Sequence, residues 1–342
     1  MVRAFRFSAI FAGVVFTSSY ASAQVSSVEN FYKGRTIDLL VSSEVGGGYD
    51  TYARVIASFF GQYIPGHPKL IVKNMVGAGG LIAANHLAKI APKDGSVIAL
   101  LQNTVPFQPL IAPGGEQFDA TRFGYVGSAN SEVALSFTWH KSPTKTFDEL
   151  LSRETLMAGV IGSISSNYAN ALRDLAGAKI KLVTGYAGAS QALLAMERGE
   201  IEGHPAIFWS TFKTTKPEWI QDQKVNFLVQ LALKKHPELQ HVPLILDYLK
   251  NEEDRAAAEL LLAPQLAGRP LVAPPSIPTE RLAALQNSFM EMMNGPDLIN
   301  EANKRKMEFS PISGSELAAL VAKAYSSSPD VIARVKAMGE AR

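Results

Sequence analysis

The sequence predicts an α/β protein of two lobes, each a βαβαβ unit, set around a ligand cleft. Short runs rich in Val, Ile and Leu alternate with helix-patterned segments, a glycine-rich loop follows most of these runs, and the whole order occurs twice along 342 residues. Chain passes between the two units in both directions, which is the layout of two lobes rather than two beads. A composition of 47% apolar and 19% charged residues is that of a globular protein and excludes disorder or a collagen-like repeat. Domains of about 100–200 residues make two the expected number. The absence of cysteine excludes a disulfide-stapled scaffold and suits an oxidising compartment.

The chain opens with Arg3 and Arg6, an apolar run from Phe7 to Phe16 and the small residues Ala21-Ser22-Ala23, the pattern of a signal peptide cleaved after Ala23. That run falls short of the roughly 20 residues a membrane span needs. Both net charges of the +2 chain belong to this leader, so the body is neutral. Neither nucleic acid nor an anionic membrane surface is then an expected partner, because both need a concentrated basic face.

Thr36 to Ser42 reads as a strand covered on both faces, with Gly46-Gly47-Gly48 after it. Tyr52, Val55, Ile56, Phe59, Phe60 and Tyr63 recur at helical spacing, so a helix starts near Asp50, placed to cap it, and stops before Pro65-Gly66. Strand Leu70 to Lys73, loop Asn74 to Gly80, helix Leu81 to Ile90, turn Pro92 to Gly95 and strand Val97 to Leu101 complete the first unit. The second has strand Thr155 to Val160, loop Gly162 to Asn167, helix Tyr168 to Leu175, strand Ile180 to Val183, loop Gly185 to Ser190, helix Gln191 to Arg198 and strand Ile201 to Phe208. Tyr125 to Thr138 carries the chain between units, and a polar stretch from Thr211 to Lys224 leads out to a buried strand, Val225 to Leu231. Pro278 leads into a helix from Leu282 to Met293. The expected organisation is a signal peptide over 1–23, a first lobe over 24–128 and 226–342, and a second over 129–225.

Ligands of open parallel sheets bind beyond the carboxyl ends of the strands, where helix N-termini present free N–H groups. That rule selects the loops Glu44 to Asp50, Asn74 to Gly80, Gln102 to Phe107, Gly162 to Asn167 and Gly185 to Ser190, none of which contains Lys or Arg. An anion there is held by backbone N–H groups, hydroxyls, amides and water, with each helix dipole adding about 0.3–1 kcal/mol.

Enzyme motifs fail at identifiable residues: G-x-G-x-x-G is broken by Thr51 and by Ile82, and no P-loop, G-x-S-x-G or H-E-x-x-H occurs. Glu202 and His204 alternate on one strand and, with Asp50, form the acid–base set of an alternative reading as an exported hydrolase or lyase. They lack a third ligand, so no metal and no cofactor is expected. His236 and His241 read as surface residues, and Trp139, Trp209 and Trp219 as packing.

The loops carry more than a generic pattern. Gly46-Gly47-Gly48-Tyr49-Asp50-Thr51-Tyr52-Ala53-Arg54, Asn74-Met75-Val76-Gly77-Ala78-Gly79-Gly80, Pro92-Lys93-Asp94-Gly95 and Gly185-Tyr186-Ala187-Gly188 together resemble the Bug, or TctC-type, extracytoplasmic receptors of tripartite tricarboxylate transporters. The resemblance implies a two-lobed type II periplasmic binding protein fold that closes on a small carboxylic acid and delivers it, as a monomer, to a membrane permease. A ligand receptor serving a membrane sensor is the same fold in another role. By this analogy the ligand-binding residues are Gly48, Tyr49, Asp50, Gly79 and Thr104 from the first lobe and Ser163, Ser165, Asn167, Tyr186, Ala187 and Gly188 from the second. The chain departs from the family pattern at Met75-Val76, where Arg-Pro is usual, at the extra Lys93, and after Tyr186, where a double glycine is usual.

Overall fold

Strand β1 (Thr36–Val41) is the centre from which the first unit grows. Helix α1 (Gly48–Tyr63), β2 (Lys69–Asn74), α2 (Leu81–Lys89) and β3 (Val97–Leu100) follow it, and both β2 and β3 pair parallel to β1. The structure, a computed structural model, describes residues 27–159, 164–186 and 189–339, so the leader and its cleavage site lie outside the described residues.

The second unit contains β5 (Ala134–Trp139), α3 (Phe147–Ser152), β6 (Thr155–Ala158), α4 (Ile164–Ala176), β7 (Ile180–Val183), α5 (Ala189–Glu197) and β8 (Gly203–Phe208). One sheet runs β11-β4-β10-β3-β1-β2 and the other β7-β6-β8-β5-β9, where β4 is Gly124–Ser128, β9 Val225–Leu231, β10 Pro270–Ala273 and β11 Ile312–Ser313. Both sheets share one plan. Three parallel strands stand in the order second, first, third, and beside the third lies an antiparallel strand from elsewhere in the chain, β10 in one sheet and β5 in the other. Two stretches of chain connect the sheets, the short one between β4 and β5 and the long one between β9 and β10.

Alternation along β1 explains its position. Leu39 and Val41 pack with Tyr52, Val55, Ile56 and Phe60 of α1, whereas Leu40 packs with Leu87 of α2 on the opposite face. Each such fully buried side chain contributes about 1.5–3 kcal/mol relative to exposure. The predicted face of α1 is therefore the buried one, with Phe59 and Tyr63 at its half-buried edge.

Three expectations need correction. Val225–Leu231 pairs with β5, so the expected return to the first lobe at residue 226 falls inside the second sheet, and the chain rejoins the first only at β10. Residues 228–231 are buried without interruption, and Leu228, Val229 and Leu231 join the cluster that also holds Tyr168 and Leu172 of α4. The polar stretch Thr211 to Lys224 holds most of two short helices, α6 (Trp209–Thr215) and α7 (Pro217–Gln221), because Trp209, Phe212 and Trp219 supply a buried side and Pro217 starts the second. Finally, α4 begins at Ile164, inside the expected loop, since Ser165, Tyr168, Ala169 and Leu172 form one buried face at helical spacing.

Helix α8 (Glu252–Ala267) precedes β10, and α9 (Thr279–Met293), α10 (Pro296–Arg305), α11 (Gly314–Tyr325) and α12 (Pro329–Gly339) complete the chain. The last of these packs on α8 and α4, and Asn170 donates to the Met338 carbonyl at 2.6 Å. The C-terminus thus ties the second unit to the segment that leads back to the first.

Candidate functional site

The N-terminus of α1 lies at the junction of the two units. Its cap is Gly47, which brings no side chain to the first N–H groups, so Asp50 is not the cap expected from sequence. Asp50 stands at the third helical position and reaches back instead. Its carboxylate accepts hydrogen bonds from Gly46 N–H, Arg54 Nε and Asn74 Nδ2, each at 2.9 Å. Burial drives this carboxyl upward, but the bonds from Arg54, Gly46 and Asn74 outweigh it and hold its pKa below the ordinary range. Asn74 also donates to the Ser43 carbonyl at 2.9 Å, which fastens the loops after β1 and β2 together. Of the roles open to Asp50, bracing the loop is the one its contacts describe.

Tyr49 turns the other way. Its hydroxyl accepts from Asn103 N–H at 2.9 Å and lies 3.2 Å from the Gly268 carbonyl, to which it donates. Asn103 in turn donates to the Pro264 carbonyl at 2.9 Å. Burial pushes the Tyr49 hydroxyl up to about 12, so it stays protonated. Tyr49, one of the expected ligand contacts, thus also bolts the α1 terminus to the loop after β3 and the long connection. Gly48 is exposed at the same terminus, 3.5 Å and 3.6 Å from Arg269 Nη2 and Thr211 Oγ1 measured from the place a Cβ would occupy. Thr104 is half-buried next to Asn103, and its carbonyl accepts from Phe107 N–H at 2.9 Å.

Gly79 is exposed at the tip of the loop after β2, with φ +63° and open space around it. The adjoining Gly80 is the demanding one: at φ +99°, a Cβ would come within 2.9 Å of Val105 and 3.2 Å of Ser42. Its bare Cα lets this loop settle on those leaving β1 and β3.

From the second unit, Ser165 is buried, while Asn167 and Tyr186 are half-buried. Tyr186 packs on the cluster containing Ile207 and Trp209. The remaining expected contacts, Ser163, Ala187 and Gly188, lie outside the described residues.

Arg269 escaped the sequence argument. The five loops indeed lack basic residues, but Arg269 enters from far along the chain and lies 1% exposed behind the α1 terminus. Its guanidinium is 4.0 Å from the Tyr52 ring and 4.9 Å from that of Tyr49. It pairs with Glu132 at 2.9 Å and donates to Ser210 Oγ at 3.2 Å. Burial alone lowers its affinity for a proton, but Glu132 and the two tyrosines more than restore it, so it stays charged. A lone arginine between Ala267-Gly268 and the apolar Pro270 to Ala273 was the available signal, since a charge in such a run must be paired.

The acid–base set does not assemble. Glu202 accepts from Arg153 at 2.8 and 3.2 Å and from Ser142 at 2.8 Å. His204 is buried on β8, its Nδ1 accepting from Ala206 N–H at 3.2 Å and its ring stacked on Phe137. Among the described residues neither shares a partner with Asp50. His236 is half-buried rather than a surface residue: with Glu238 and Glu308 it offers ligand atoms within 4.8 Å of one another. The Lys213 ammonium binds both carboxylates of that group, Glu238 at 2.8 Å, so the cluster is an ion-pair junction. His241 is exposed. Trp209 is packed in the second core and donates to Glu238 at 2.7 Å.

Residues 53–336 match the family described as the tripartite tricarboxylate transporter family receptor, TctC. A UPF0065 protein in the TAR-I ttuE-ttuC' intergenic region of Agrobacterium vitis is 28% identical over 186 residues. That match covers 52% of each protein, so the chain spans about half the length of the curated relative. Among solved structures, a TctC solute binding protein from Polaromonas superposes with a TM-score of 0.65 at 20% identity, over 90% of this chain and 98% of that one. MatC from Rhodopseudomonas palustris, with bound malate, gives 0.64 at 20% identity over 90% and 99%, and another R. palustris protein, with adipate, 0.65 at 19% over 89% and 98%. These likenesses establish the two-lobed fold.

Proposed function

The chain belongs to the tripartite tricarboxylate transporter receptor family, and on that premise we propose that it is an exported, monomeric receptor that closes on a small carboxylic acid and delivers it to a membrane permease of the tripartite tricarboxylate type. The observation that carries this reading is the terminus of α1: a 16-residue helix capped by a glycine that brings no side chain to its first N–H groups, beside Arg269 and Thr211. Such a terminus favours an anion through aligned N–H groups and the helix dipole, and it supplies no nucleophile. Loops from both units border the ligand, which therefore stabilises the closed arrangement by its greater affinity for it. Asp50 and Glu202 are held by other partners and His204 is buried on β8 apart from both, so the chain acts by binding and not by acid–base catalysis. Export places it in the periplasm after cleavage behind Ala23. No described helix is long and apolar enough to cross a membrane.

The test is a thermal-shift and calorimetric screen of Gln24–Arg342 against mono-, di- and tricarboxylates, amino acids and neutral sugars. Saturation at a hundred times Kd adds about 2.7 kcal/mol of stability. Carboxylic acids alone are expected to raise the melting temperature; a response confined to sugars, or none to any acid, overturns the reading.

A further inference from the structure

Seven large hydrophobic side chains are exposed among the described residues, and three of them sit at the carboxyl edge of β1 and β2. They are Val45 (69% exposed), Val76 (56%) and Ile82 (48%). The loops that carry the two valines are fastened by Asn74, whose amide binds both Ser43 and Asp50. Ile82 lies against Gly77, beside Val76: its Cδ1 is 2.3 Å from where a Cβ on Gly77 would stand. The result is exposed apolar surface on the loops that border the α1 terminus, which the other four exposed side chains, Ile71, Ile90, Leu194 and Ile299, do not share.

The charges near this surface are committed. Arg54 pairs with Asp50 at 2.9 Å, Lys73 with Asp38 at 2.6 Å and Arg269 with Glu132 at 2.9 Å. The five loops add no Lys or Arg, and their acids are Glu44 and Asp50. The α1 terminus can compensate one negative charge. A second carboxylate would leave water to meet cations that, among the described residues, are already paired, a heavy penalty in a closing cleft.

We infer that the ligand carries a single carboxylate, held at the α1 terminus, and an apolar body that lies over Val45, Val76 and Ile82. This deepens the proposed receptor function and rests on it. Three six-carbon acids differing only at the far end provide the test: hexanoate, adipate and 6-aminohexanoate, titrated calorimetrically into the mature chain. Hexanoate is expected to bind about tenfold tighter than adipate, the discrimination expected when a charged group enters an apolar subsite. A Val45→Ser/Val76→Ser double variant, altered only at exposed positions, is expected to lose about fivefold in hexanoate affinity through lost apolar burial, at an unchanged melting temperature. Adipate binding as tightly as hexanoate overturns the single-charge inference while sparing the carboxylate receptor. Tighter binding of 6-aminohexanoate overturns it by making Glu44 a reader of amines. If no acid in this series or in the wider screen binds, the receptor reading itself falls.

Discussion

His204 gives the stability of this protein an acid edge. It is buried in the second sheet with Nε2 lacking a partner and the ring against Phe137, and burial pushes its pKa down from 6.5 to about 4. Between those values the unfolded chain binds a proton that the native chain does not. Stability is therefore fully present above about pH 6.5 and drains away as the pH falls toward 4. Integrated from pH 7 to pH 5, the loss from this one group is about 2 kcal/mol. The perturbation is His204→Leu, which removes the titrating ring from an apolar site and gives up one weak bond to Ala206. Urea denaturation of both chains at half-unit steps from pH 7 to 5 measures it, because contributions common to both cancel in the difference. The native chain is expected to lose about 2 kcal/mol more than the variant over this range. Parallel curves would refute the reasoning.

Other perturbations probe the site's frame. Tyr49→Phe leaves Asn103 N–H and the Gly268 carbonyl without their partner and is expected to cost about 1–3 kcal/mol in urea denaturation, with weaker ligand binding. Glu132→Gln removes the counter-charge of Arg269 and is expected to cost about 3–5 kcal/mol, read as a fall in melting temperature. Gly80→Ala meets Val105 and Ser42 on top of its positive φ, whereas Gly79→Ala meets nothing. The first is expected to destabilise by about 2 kcal/mol or more and the second by about 1 kcal/mol, and equal losses in thermal melts would contradict the packing argument.

Most of the frame is local and so was legible. Val225–Leu231 and Ile180–Val183 are strands with the predicted limits, and α1 buries its predicted face, because period-2 and period-3.6 patterns report burial directly. Which sheet β9 joins is a non-local fact, since nothing within its seven residues distinguishes one partner from another. The site divides in the same way. Loop positions follow from topology, and the sequence placed Gly48 and Tyr49 in the loop leading into α1, whose first turn they form. The direction each side chain takes does not follow: Tyr49 is consumed by Asn103 and Gly268, and Asp50 by Arg54 and Asn74. Arg269 was invisible to a search of the loops because its segment approaches them only in three dimensions.

Those commitments make the binding loops and the connections one network. Tyr49 and Asn103 hold the first-unit loops to Pro264 and Gly268, Gln265 donates to Tyr168 of α4 at 2.7 Å, and its carbonyl accepts from Glu132 N–H at 2.7 Å. Gly268 touches the other connection so closely that a Cβ would fall 1.9 Å from the Asn130 carbonyl. A ligand that shifts the α1 terminus therefore loads both connections at once. Converting an open-to-closed ratio of 99:1 into 1:99 needs about 5.5 kcal/mol of differential affinity. Hydrogen bonds at about 1 kcal/mol each would have to supply five or so net contacts made only when closed. Apolar surface covered on closure would reach the same sum with fewer, at about 25 cal/mol per Å², so on the proposed receptor reading exposed aliphatic side chains beside a charge-poor terminus would couple capture to closure with few polar contacts.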